Sequence, residues 1–105
     1  MLNDFLEAYV SLFPADAGGR GGVIAPRDGS YRPFARLVDY PEPLLRIRFI
    51  EGPPRLAAGD VARVVAELES SVELVPGTEL ELVEHAGRVV GLITVVRMWR
   101  GEVAV

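Results

Sequence analysis

The chain contains no cysteine and no lysine, and it has one histidine among its 105 residues. Without cysteine there is no disulfide, no thiolate nucleophile and no cysteine-ligated zinc. Without lysine there is no Schiff base and no phosphate loop of the G-x-x-x-x-G-K-[ST] kind. His85 has no second histidine or cysteine beside which to hold a metal, and carboxylates such as Glu84 alone make a poor ligand set. It reads as a solvated turn residue. No apolar run approaches the roughly 18 residues of a membrane span. Met1-Leu2-Asn3-Asp4 also lacks the basic start of a signal peptide. These absences predict a cytoplasmic protein that is not an enzyme, with no metal, no cofactor, no bound nucleotide and no membrane association.

What is present is a core-forming composition. Half of the residues are hydrophobic, enough for one domain spanning residues 1–105 without staples. The net charge is −4 and unevenly spread. Residues 20–55 hold seven arginines against four acids, whereas residues 56–105 hold four against eight. An acidic total repels nucleic acid at long range, but the arginines at 20–55 leave room for a locally basic face.

Turn signals divide the chain. "PADAGGRGG", "APRDGSYRP", "EGPPRLAAGD" and "VPGTE" combine proline, glycine and aspartate in patterns that break strands and helices. Between them, Leu45, Ile47 and Phe49 alternate with Arg46 and Arg48, the period of a half-buried strand. Leu80 and Leu82 alternate with Glu79, Glu81 and Glu84 in the same way. Two stretches are ambiguous. Leu2 to Phe13 suits a helix capped at Asn3 or Asp4, or a strand ending at Pro14. Asp60 to Val75 places Val61, Val64, Val65 and Leu68 at helical spacing, while Ala62, Val64, Ala66 and Leu68 alternate as in a strand. Frequent turns between short segments point to an all-β barrel or sandwich.

Four motifs in order resemble the C-terminal β-barrel domain of elongation factor Tu. They are Gly18-Gly19-Arg20, Tyr31-Arg32-Pro33, Gly59-Asp60 and Gly87-Arg88-Val89-Val90-Gly91, and together they span nearly the whole chain. The resemblance implies strand at both ambiguous stretches. The expected fold is a closed six-stranded antiparallel Greek-key barrel, with strands at 5–13, 33–38, 45–50, 61–74, 79–84 and 88–99. There are departures. Ala86 stands where the family has glycine and Phe34 where it usually has glutamine. The family's GTPase domain and middle barrel have no counterpart in these residues. The family's barrel contacts transfer RNA backbone and protein partners, which makes Arg20, Arg32, Gly87 and Arg88 the candidate binding positions. A protein partner connected with translation factors is the expected function, and RNA-backbone binding through the 20–55 arginines the alternative.

The acids Glu67, Glu69, Glu73, Glu79 and Glu81 read as wet strand faces. The last strand is apolar on both faces under strict alternation. Val90, Leu92, Thr94, Val96 and Met98 then point one way. Val89, Gly91, Ile93, Val95, Arg97 and Trp99 point the other. With the first set inside, Ile93, Val95 and Trp99 form an outward apolar patch, which predicts self-association, most simply a homodimer.

Overall fold

The computed structural model describes residues 2–69 and 72–102. Six strands, β1 (Leu2–Leu12), β2 (Phe34–Leu37), β3 (Tyr40–Glu51), β4 (Val61–Leu68), β5 (Glu79–Glu84) and β6 (Arg88–Glu102), close into a barrel ordered β1-β4-β3-β2-β5-β6. All neighbouring pairs are antiparallel. β2, β3 and β4 follow one another around the wall, and β1 returns beside β4, which is the Greek-key connection. Of the two ambiguous stretches, Leu2–Leu12 and Val61–Leu68 are strands. The expected fourth strand ran to 74; β4 stops at Leu68, and residues 72–76 leave the sheet as irregular chain.

Period-two patterning puts one face of each strand inside. Leu6, Ala8, Val10 and Leu12 from β1, Leu45, Ile47 and Phe49 from β3, and Leu80 and Leu82 from β5 are buried together. A six-stranded barrel has little interior, so large side chains need small ones beside them. Ala66 sits between Phe49 and Leu6 in the pairing, and Ala35 between Leu45 and Leu82. The connection 13–33 closes the barrel end where β1, β3 and β5 finish. There Ile24 and Leu56 exchange backbone hydrogen bonds at 2.8 Å. Both side chains are fully covered. This is the closed end. The opposite end, beyond β4, holds residues 72–78 and the last residues of β6.

The face assignment of β6 differs from the strict alternation. Two bulges interrupt it. Against β5 the register runs from Leu82↔Gly91 to Val83↔Val89, leaving Val90 as the extra residue. Against β1 it runs from Glu7↔Arg97 to Ala8↔Val95, leaving Val96 as the extra residue. Each bulge inverts the in/out phase. Val90 and Met98 keep their inward positions, but the residues between them are inverted. Ile93 and Val95 are 1% and 2% exposed and belong to the core, while Leu92, Thr94 and Val96 are half-buried on the outer wall. Trp99 does face outward, stacked on Phe5 of β1 with ring centroids 5.8 Å apart. The predicted Ile93–Val95–Trp99 patch therefore does not form.

The two phases make opposite predictions for neighbouring residues. Ile93→Glu buries an unpaired charge and is expected to abolish the cooperative thermal transition seen by circular dichroism. Leu92→Glu, on the outer wall, is expected to cost less than about 1 kcal/mol. The reverse ranking would restore strict alternation.

Candidate functional site

At the closed end the first turn packs on the β5–β6 hairpin. A single 3-10 turn, Ala15–Ala17, is followed by Gly18 in the left-handed region at φ 85°. A side chain at Gly19 is impossible without rearrangement, because its Cβ would lie 2.0 Å from the Phe13 carbonyl oxygen. The hairpin meets this turn through two arginines. Arg88 donates from Nη2 to the Gly19 carbonyl at 2.6 Å and to the Gly18 carbonyl at 3.3 Å. Arg20 donates from Nε to Glu84 at 2.6 Å and lies with its guanidinium 5.4 Å from the centre of the Tyr31 ring.

The Tyr31 hydroxyl donates to the same Glu84 oxygen, and its ring meets Phe49 edge-on at 5.2 Å. Burial first, and the Glu84 carboxylate second, push the Tyr31 phenol far above its usual range, so it stays protonated and donates. Arg20, Arg32, Glu84, His85 and Phe34 line a recess of about 300 Å³ there. Gly87, at φ 76°, completes the turn.

The fold thus gathers the four candidate positions Arg20, Arg32, Gly87 and Arg88 at one end. It also occupies two of them. Arg20 and Arg88 hold the closed end together through intrachain acceptors. Arg32 is exposed and makes only a loose ion pair with Glu69, at 3.7 Å.

The same happens around the wall. Of the seven arginines in residues 20–55, Arg20, Arg32, Arg36 and Arg48 pair with Glu84, Glu69, Glu81 and Glu67, all from the acidic half. Arg27 donates to the Gly52 carbonyl at 2.6 Å, and Arg46 lies over the Phe34 ring. Glu7 is clamped between Arg63 and Arg97, whose hydrogen bonds hold its carboxyl below the usual range. The charge asymmetry along the sequence largely cancels across strands.

Glu67 is a further departure from the sequence reading. It faces outward but is 7% exposed rather than wet. Asn3 Nδ2 donates to one carboxylate oxygen at 2.8 Å and Arg48 Nη2 to the other at 2.7 Å. No periodicity rule shows this, because the covering groups come from β1 and β3.

The larger recess lies at the opposite end. It has a volume of about 530 Å³ and is lined by Asp4, Val72, Leu74, Met98, Trp99 and their neighbours. Sequence reasoning missed it by extending β4 to residue 74. The only signal present was Pro76-Gly77, which starts the turn but does not say where the preceding strand stops. Among the described residues, no three His, Asp or Glu side chains assemble as a metal site. No protein-family model matches the chain, and no curated protein matches its sequence. The elongation factor Tu resemblance stands on its four motifs.

Burial alone would raise the Glu67 carboxyl, but the hydrogen bonds from Arg48 and Asn3 outweigh it and lower the pKa below 4.5. A folded-state value below the unfolded one contributes stability above the unfolded pKa. That contribution is lost as pH falls through the folded pKa. Glu67→Gln is expected to cost about 1–3 kcal/mol near neutral pH. In urea unfolding from about pH 7 to about pH 3, the gap between wild type and variant should narrow on the acid side. A gap independent of pH would remove the ionised pair from the account.

Proposed function

We propose that the chain is a non-catalytic β-barrel module that binds a protein partner. The observation that carries this reading is the distribution of charge and apolar surface. The arginines that nucleic acid would need are mostly engaged inside the chain, while the 530 Å³ recess is open and lined by Val72, Leu74, Met98 and Trp99. Concave, largely apolar surface with a few polar groups is the usual form of a binding site. A connection with translation factors is supported by the ordered motifs from Gly18 to Gly91. The closed barrel is compatible with it, although such barrels also serve unrelated functions.

RNA-backbone binding is the second reading. It is favoured by Arg32, Arg46 and His85, which remain exposed near the 300 Å³ recess. Phosphate contacts release counterions, so affinity for RNA falls steeply as salt rises. Fluorescence anisotropy with labelled single-stranded and hairpin RNA, from about 50 to about 200 mM salt, separates the two readings. The expected result is no saturable binding at the upper salt. Micromolar binding with a salt slope of several ions, weakened by Arg32→Ala, would replace the protein-partner reading with the RNA one. Calorimetric titration with GTP is expected to show heats of dilution alone.

A further inference from the structure

β6 is longer than the strand that should cover it. On its β5 side the pairing ends at Glu79↔Thr94. The last backbone bonds there run from Gly77 N–H to the Val95 carbonyl at 2.7 Å and from Val95 N–H to the Thr78 carbonyl at 2.9 Å. Upstream of Gly77, residues 72–76 swing away from the strand. Leu74 N–H donates to the Met98 sulfur at 3.2 Å rather than to a strand carbonyl. Among the described residues, no strand takes this edge of β6 from Arg97 to Gly101. The 530 Å³ recess is the space so left, with Met98 and Trp99 on one wall and residues 72–76 on the other.

We propose that this recess receives an extended peptide segment of a partner protein, which adds to β6 as a strand and carries an apolar side chain next to a basic one. The proposal rests on the binding-module reading above and names its site and partner chemistry. A bare strand edge offers a ladder of backbone donors and acceptors that only another extended backbone matches. At 3.3–3.4 Å per residue, Arg97 to Gly101 presents roughly 13 Å of edge, room for about five residues. Alternate side chains of the added strand point into the recess, where Val72, Leu74 and Met98 give apolar contact. Asp4 and Arg100, which also line the recess, pair with each other at 3.0 Å. Glu73 adds a negative charge at the rim with no ion pair among the described residues, and it complements a basic neighbour on the peptide.

A second barrel fits less well. For two β6 edges to pair at the normal spacing of about 4.8 Å, each copy's 72–76 wall would have to occupy the other's recess. A single strand meets no such conflict.

Trp99 is the only tryptophan and lines the recess, so its emission reports occupancy directly. The experiment selects heptapeptides from a randomised display library against the full chain, then titrates the enriched peptides while following Trp99 fluorescence. Alternating apolar sequences with an adjacent arginine or lysine are expected, with a saturable change in emission. Met98→Arg should weaken binding at least tenfold while leaving the circular dichroism spectrum unchanged. Because that variant changes the fold's own packing, a second measurement uses wild-type protein. The same peptides N-methylated at alternate amides should lose binding in one methylation phase and keep it in the other.

Failure to enrich any such pattern, or equal binding of both methylated forms, would overturn the added strand. Peptides that bind without moving Trp99 emission would overturn the site and leave the binding-module reading standing. Self-association detected by sedimentation and abolished by Met98→Arg would put a second copy where the peptide is proposed.

Discussion

Closure of the barrel depends on β6. It must pair with β1 along its length and with β5 along its first half, and it must still send apolar side chains into a narrow interior. A regular strand cannot follow both neighbours around so tight a curve. The bulges at Val90 and Val96 provide the bending and added twist, and between them they re-aim the strand's side chains. Gly91 sits at the first of these bends. A Cβ there would lie 2.5 Å from the Ser11 carbonyl oxygen, so the approach of β6 to β1 needs glycine. The burial of Ile93 and Val95 and the outward half-exposed Leu92 follow from this one strand's geometry.

The outer wall is organised by arginine–carboxylate pairs between strands. Arg36 meets Glu81 across β2 and β5, Arg48 meets Glu67 across β3 and β4, and Glu7 of β1 joins Arg63 and Arg97 on either side. The exposed pairs among them contribute about 0–1 kcal/mol each, so they do not hold the barrel together; the covered Glu67 pair is the one expected to count toward stability. Their effect is on what the surface offers. Guanidinium groups engaged in directed contacts with carboxylates are poorly placed to grip phosphates. A chain with a basic half and an acidic half thereby folds into a surface with little one-signed field.

The two ends of the barrel differ for the same reason that strand lengths differ. One end is closed by the Ile24–Leu56 bridge and by the Arg20–Glu84–Tyr31 contacts, which use the polar groups that a ligand would otherwise meet. At the other, β4 ends at Leu68 while β6 continues to Glu102, and residues 72–76 do not pair with it as a strand. Leu74 closes the core from this side but leaves Met98 and Trp99 at the edge of open space.

Strand at Leu2 to Phe13 and Asp60 to Val75 is implied only by the resemblance; the sequence by itself determined which turns divide the chain and, from the alternation at Leu45–Phe49 and Leu80–Leu82, that it is built of short strands. These are local properties. Alternation at Leu45–Phe49 and proline and glycine at the turns each act within a few residues of chain. Tertiary structure alone decided which face of β6 is inside, where β4 ends, and which arginines remain available. A bulge is a disagreement between one strand and its neighbour, and it leaves no period of its own in the sequence. The Glu67 pair joins residues from β1, β3 and β4, and the Glu84 pairs join Arg20 and Tyr31 to a hairpin more than fifty residues away. Their availability is fixed only when closure brings distant strands side by side.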